Sequence, residues 1–233
     1  LRENFFTNIT HEFRTPLTVI LGLSHDLQCS GSDEVRNKAI AIQKQGNGLL
    51  SLVNQLLDIT KIKSSIGDAE WKNGNVIAYL GMVVESYRDF ALSHNITLQF
   101  LPKGEVVMDF VPDYIVKVMN NLLSNALKFT PEYGTVSVSA WREGEQLHID
   151  VTDSGCGMDK DTLAQVFEPF YQGESGKRHI GTGVGLTLVK QIIDALDGRI
   201  TVNSEINNGT TFHISLPIRN NIKSQVVYLQ TGN

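Results

Sequence analysis

The stretch Thr10-His11-Glu12-Phe13-Arg14-Thr15-Pro16-Leu17-Thr18 sets an imidazole beside a carboxylate and places a hydroxyl one helical turn further on. Residues four apart share a helix face, so His11 and Thr15 are expected to point the same way. Pro16 has no N–H, so the carbonyl of Glu12 loses its helical partner and the helix is predicted to bend there. A bent helix carrying an exposed His is a poor core element and a good place to present a nucleophile. Imidazole titrates near pH 6.5, so roughly three quarters of it is neutral and nucleophilic at pH 7.

Three further constellations could carry chemistry. Asn121, Asn125 and Lys128 recur at helical spacing within Asn121-Leu122-Leu123-Ser124-Asn125-Ala126-Leu127-Lys128, with Leu122, Leu123, Ala126 and Phe129 left to bury the other side. Two amide oxygens and an ammonium on one stripe suit a magnesium–triphosphate, because Mg²⁺ wants oxygen ligands and shares them with phosphates; an ordinary solvated polar face would read the same way. Asp153-Ser154-Gly155-Cys156-Gly157 follows a predicted strand. Its carboxylate can accept the amino hydrogens of adenine, at roughly 1.5–3 kcal/mol for a bond to a charged group, and its glycines let backbone approach a ligand. An Asx turn is the plain alternative. Gly181-Thr182-Gly183-Val184-Gly185-Leu186 opens a predicted helix, where loop amides can hold phosphate. Lys177, Arg178 and His179 precede it as phosphate contacts or as a solvated basic cluster, and Phe167-Glu168-Pro169-Phe170 reads as a core or hinge anchor able to hold the base of a lid. His25, His94, His148 and His213 read as structural or surface residues.

These groups must be positioned by two kinds of element. Phe5, Ile9, Phe13, Leu17, Ile20 and Leu27 predict one helix over 1–28, and Cys29-Ser30-Gly31-Ser32 a turn with Ser32 as the next N-cap. Val35, Ala39, Ile42, Gly46, Leu49, Val53 and Leu56 then alternate steps of four and three to about Lys63, the period of a coiled-coil seam. Such a hairpin cannot cover both apolar faces alone; two copies can, as a dimeric four-helix bundle. After a linker at Ser64–Asp68 the pattern turns to α+β. Helices are predicted over 75–94, 113–129, 158–165 and 185–197. Strands are predicted at 96–101 and 105–110 joined by Pro102-Lys103-Gly104, at 135–142 and 146–152 around Gly144, and at 199–204 and 210–216 around Asn207-Asn208-Gly209.

The 233 residues are 41% hydrophobic and 19% charged, as in a globular chain. The net charge of −5, with no basic patch, argues against nucleic acid as a partner. Two distant cysteines, Cys29 and Cys156, give neither a disulfide framework nor zinc spacing and suit a reducing compartment. No apolar run reaches membrane-spanning length, and no signal peptide is evident. The chain opens inside a helical pattern, and the expectation is a fragment of a longer protein.

Taken in order, these motifs resemble the catalytic core of a sensor histidine kinase of two-component systems, in the GHKL superfamily. Thr10–Thr18 resembles the family's H box, Asn121–Thr130 its N box, Asp153–Met158 its first glycine box, Val166–Tyr171 its F box, Gly181–Leu186 its second glycine box, and Gly209-Thr210-Thr211-Phe212 its terminal glycine strand. The resemblance implies a dimerisation and phosphotransfer hairpin over 1–66, a Bergerat-type α/β sandwich binding ATP over 67–217, and a tail over 218–233. It also implies roles. His11 would accept the γ-phosphoryl of ATP, Glu12 would bond the ring and draw off its proton, and Thr15 would orient water for dephosphorylation of a partner. Asn125 would ligate Mg²⁺ with Asn121 assisting directly or through water. Lys128 would touch phosphate, and Asp153, backed by Thr210, would read adenine. Gly155, Gly157, Gly181, Gly183, Gly185 and Leu186 would complete the ATP site. The implied partners are a second copy of the chain and the receiver domain of a response regulator. The implied setting is the cytoplasmic portion of a membrane-tethered sensor, with no membrane contact by this fragment itself. Two rivals stand beside this reading. A gyrase- or chaperone-type ATPase would carry Glu at the place of Asn121 to activate water, which Asn cannot do; a silent nucleotide-binding dimeric scaffold would keep the fold without the transfer.

Overall fold

The alternation of Val136, Val138 and Ala140 with Ser137 and Ser139 produces a strand with one buried face, and its neighbours repeat the pattern. The computed structural model describes residues 17–29, 32–171, 173, 183–219 and 226–228. His11, Glu12, Thr15 and Gly181 lie outside them, as do Lys177, Arg178 and His179.

Residues 17–29 form helix α1, and α2 (Asp33–Ser65) runs back along it. Ser24 Oγ donates to the Ala39 carbonyl, and Gln28 Nε2 donates to Gln43 Oε1 at 2.9 Å. Ser32 occupies the N-cap position of α2 with extended backbone, but its side chain makes no capping bond; its carbonyl accepts from Arg36 N at 2.8 Å. The heptad divides between two directions. Ala39, Gly46 and Val53 are buried, whereas Val35, Ile42 and Leu49 are exposed. A Cβ on Gly46 would stand 2.6 Å from Leu21 Cδ2, so this glycine is what lets α1 lie close.

A short 3₁₀ turn (Ile66–Asp68) leads to β1 (Trp71–Asn75), whose Trp71 ring is buried and donates to the Ile66 carbonyl at 3.1 Å. Then follow α3 (Val76–Glu85), α4 (Arg88–Ser93), β2 (Thr97–Lys103), β3 (Val107–Phe110), α5 (Pro112–Phe129), β4 (Thr135–Glu143), β5 (Gln146–Asp153), α6 (Lys160–Gln165), α7 (Gly185–Ala195), β6 (Arg199–Glu205), β7 (Gly209–Pro217) and β8 (Val226–Tyr228). The five-stranded sheet has the order β2-β4-β5-β7-β6, and a small sheet has the order β3-β1-β8. One face of the large sheet buries Val138, Ile149 and Ile214 against Leu122 and Leu123 of α5 and Leu188 and Ile192 of α7. The result is a helical hairpin followed by an α/β sandwich.

Three expectations are corrected. The strands on either side of Pro102-Lys103-Gly104 do not pair with each other: β2 joins β4 in parallel, while β3 joins β1. Pro102 has no N–H to donate, and β2 lies at the sheet edge where that loss is tolerated. The helix expected over 75–94 breaks at Ser86 and Tyr87 into α3 and α4. Phe129 is half-buried rather than committed to the core, and the buried face of α5 is completed by Leu127.

α2 also packs on the sandwich. Its residue Ile62 is buried in the same core as α5 and α7, and Asp58 accepts from Lys117 Nζ on α5 at 2.9 Å. Lys117 bonds Asp113 as well, at 2.9 Å. Burial works against the Lys117 ammonium, but the bonds to Asp58 and Asp113 outweigh it and leave its pKa raised.

Ile149 is buried at the centre of the large sheet. Ile149→Ala is expected to lower stability by about 2–5 kcal/mol, read from urea unfolding. A loss within a few tenths of a kcal/mol would show that the sheet does not pack as described.

Candidate functional site

α5 is the element on which the site is built. Pro112 sits in its first turn, where a missing N–H costs nothing, and its apolar face is locked into the core. The opposite face therefore has a fixed orientation. Asn121, Asn125 and Lys128 line a cleft of about 500 Å³ together with Asp153, Thr210 and the start of α7.

At one end of the cleft is Asp153, the last residue of β5. It is paired in register with Thr210 of β7. The carboxylate is buried and accepts from Gly155 N at 2.8 Å and from the Thr210 amide. Burial pushes its pKa above the ordinary value, and the two amide donors pull against that shift. Gly155 is not itself part of the cleft lining; its contribution is this bond, and a Cβ there would meet the Phe129 carbonyl at 2.5 Å. Gly157 has φ of 65° and lies so close to the Glu205 carbonyl that no side chain fits. Met158, Val166 and Phe212 add an apolar lining, and Cys156, half-buried, lines it too.

At the other end, Asn121 Nδ2 donates to the Lys117 carbonyl at 2.7 Å, which turns its oxygen toward Gly185 at the first turn of α7. A Cβ on Gly185 would collide with that oxygen. Lys128 stands over the Phe129 ring with Nζ 4.7 Å from the centroid, and burial lowers its pKa. Gly183 and Leu186 complete this side. Asn121 and Asn125 offer neutral oxygen donors, a set that fits a Mg²⁺ sharing its coordination with phosphates rather than one caged by carboxylates. Gly183 O accepts from Phe170 N at 2.8 Å, which ties together the two ends of the glycine-rich segment. Phe167 is the anchor of that segment: its ring meets Phe212 at 6.3 Å between centroids, and its carbonyl accepts from Thr187 Oγ1 at 3.0 Å. Phe170 is exposed.

The structure thus gathers Asn121, Asn125, Lys128, Asp153, Gly157, Gly183, Gly185, Leu186 and Thr210 around one cleft. Two contributors were not anticipated. Ser204 on β6 accepts from Met158 N and donates to the Gly209 carbonyl, both at 2.9 Å, and bonds Thr210 Oγ1 at 2.9 Å. With its one hydrogen spent on Gly209, Ser204 receives the Thr210 hydroxyl hydrogen, so Thr210 turns its lone pairs to the cleft. The register of the hairpin around Asn207-Asn208-Gly209 was the available signal, since it sets Ser204 opposite Thr210. The second is Gln55 of α2, which lines the cleft from the helical hairpin. No local pattern announces it.

Residues 110–220 match the family described as Histidine kinase-, DNA gyrase B-, and HSP90-like ATPase, and residues 1–65 match the His Kinase A (phospho-acceptor) domain. The chain is 33% identical over 222 residues to Histidine kinase P4 of Formosa agariphila, covering 92% of this chain and 16% of that protein. It is 33% identical over 228 residues to the Autoinducer 2 sensor kinase/phosphatase LuxQ of Vibrio vulnificus, covering 93% of this chain and 26% of that protein. The chain therefore spans only 16% and 26% of the length of these two relatives. The structure of full-length ShkA in complex with AMPPNP superposes with a TM-score of 0.80 at 27% identity, over 93% of this chain and 46% of that one. With a phosphoacceptor match on the hairpin, an ATPase match on the sandwich and kinases among the relatives, the chain belongs to the sensor histidine kinase family, as a catalytic core of the GHKL superfamily.

Proposed function

We propose that this chain transfers the γ-phosphoryl group of ATP to His11 and passes it on to an aspartate in the receiver domain of a response regulator. The observation that carries this reading is the convergence, in one cleft, of a buried carboxylate, an amide-and-ammonium stripe and a glycine-led helix start. Asp153 would accept the adenine amino group, which guanine, with an oxygen in that place, would not offer. Asn125, with Asn121, would hold Mg²⁺, which supplies charge neutralisation at the phosphates. Lys128 would contact phosphate, its lowered pKa a consequence of burial that phosphate charge reverses. The amides at Gly183 and Gly185, with Gly181 before them, would receive phosphate oxygens at the start of α7.

The remaining chemistry belongs to the hairpin. A neutral His11 nitrogen attacks the γ-phosphorus, the bond to the bridging oxygen breaks, ADP leaves, and Glu12 takes the imidazole proton. Phosphoryl transfer needs positioning and charge neutralisation more than covalent help. Thr15 would orient water when the protein dephosphorylates its regulator, a role in keeping with the sensor kinase/phosphatase named among the relatives.

We further propose that two copies pair through the hairpin. Val19, Ile20, Leu23 and Leu27 on α1 and Val35, Ile42 and Leu49 on α2 are exposed apolar side chains at heptad-like spacing, which a second copy would cover as a four-helix bundle. Among the described residues no helix is long and apolar enough to cross a membrane. We place this core on the cytoplasmic side of a membrane-tethered sensor, where ATP is available. In domain terms the reading assigns 1–66 to phosphotransfer, 67–217 to ATP binding and 218–233 to a tail.

Incubation with γ-labelled ATP and Mg²⁺ is expected to give an acid-labile, alkali-stable label that His11→Gln abolishes. Strong labelling of that variant would overturn the assignment. The pH behaviour of Asp153 supplies a separate check. Its raised pKa means that the folded state holds the proton more tightly than the unfolded state, so this contribution is present in acid and lost as pH rises through the raised value. Asp153→Asn avoids the loss. It is expected to be at least as stable as the parent at neutral pH, with the advantage vanishing in acid, while its affinity for AMPPNP falls roughly ten- to hundredfold. A variant less stable at pH 7 that still binds nucleotide normally would contradict both parts.

A further inference from the structure

We infer that Gln55 of α2 is a phosphate-end residue of the nucleotide site, so that the hairpin supplies part of the site it serves. This rests on the cleft's being the ATP site, and it adds a residue from outside the ATP-binding sandwich. The placement follows from an ion pair and a helix step. Asp58 on α2 meets Lys117 on α5 at 2.9 Å, with Asp113 fixing the same ammonium from one turn earlier. One turn back on α2 is Gln55, and one turn forward on α5 is Asn121. Both line the same cleft, as does Ser124 in the next turn, so the two helices run past each other in opposite senses. Asn121 is the residue whose oxygen faces Gly185 at the start of α7, and α7 in turn packs on α2. Gln55 therefore sits with the Asn121–Gly185 corner, where phosphates belong, and away from the Asp153–Thr210 pair that would take adenine.

Its chemistry suits that corner. Gln55 is half-buried on the helix, with a neutral amide at the end of a flexible stem. An amide can donate to a terminal phosphate oxygen and adds no charge to a site that must also admit a nucleotide, release ADP and let an acceptor side chain approach. Because the residue belongs to the hairpin, nucleotide affinity and docking of the sandwich onto α2 become coupled, and each strengthens the other by the same factor.

The test uses the whole chain and titration calorimetry with Mg²⁺ present, comparing AMPPNP, ADP and adenosine as probes. Gln55→Ala, Gln55→Glu and Gln55→Lys all keep good helix formers at this position, and circular dichroism checks the fold of each. Gln55→Glu places a carboxylate beside the phosphates and is expected to weaken AMPPNP about tenfold or more, with a smaller effect on ADP and none on adenosine. Gln55→Lys is expected to bind AMPPNP at least as tightly as the parent, and Gln55→Ala a few-fold more weakly. Equal AMPPNP affinity across the three variants, with the parent still binding, would overturn the inference while leaving the cleft as the ATP site. Equal losses for all three probes would overturn it too, because they would mark a change in docking rather than a phosphate contact. Absence of AMPPNP binding by the parent would overturn the nucleotide reading and this inference with it.

Discussion

A carboxylate that burial disfavours is kept in place at the end of β5, and the architecture of the site follows from what holds it there. Asp153 accepts from the Gly155 and Thr210 amides, and its ionised form is still disfavoured. A folded protein carries such a cost where the charge has another use. Keeping it requires β5 and β7 in strict register, the close approach of Gly155 to the end of α5, and Ser204 to orient Thr210. Each is a backbone or hairpin constraint. The large sheet is thus the part of the fold that fixes where an adenine would be read.

The other end of the cleft depends on helices. α5 cannot rotate, because its apolar face is committed to the core, so Asn121, Asn125 and Lys128 point one way. Asn121 then links three helices: it is tied to Lys117 of its own helix, touches Gly185 at the head of α7, and stands a turn from the Lys117–Asp58 contact with α2. The end of the cleft proposed for the phosphates is consequently where the hairpin and the sandwich meet. Chemistry in which one part holds the donor nucleotide and the other the acceptor imidazole needs such a junction. An ion pair is a suitable fastening for it, since a few bonds can break and re-form as the parts move.

Much of this could be read from the residues in advance, and what could not has a physical cause. The stripe on α5 and the carboxylate with its glycines are local patterns, set by helical periodicity and by a strand's end. Gln55 is legible only once α2 docks on the sandwich, because nothing in its neighbourhood distinguishes it from other polar positions of a long helix. Ser204 was within reach through the hairpin register. Pro102 and Lys103, expected as a turn, lie inside β2, and a turn signal does not say which sheet each strand will join. Trp71-Lys72-Asn73-Gly74-Asn75 lacks alternation and still forms β1, because it is held between β3 and β8 rather than by its own pattern. Gly46, out of place by helix propensity, is explained by Leu21 across the hairpin, while Gly48 has open space around it and remains without a structural reason.

The central claim is that the cleft between α5, the end of β5 and the start of α7 holds ATP for attack by the hairpin. A crystal structure of the chain with AMPPNP and Mg²⁺ tests it most directly. The adenine is expected against Asp153 and Thr210, the metal at Asn125, and the phosphates running toward Gly183 and Gly185. Nucleotide density elsewhere on the protein, with this cleft filled only by water, would contradict it.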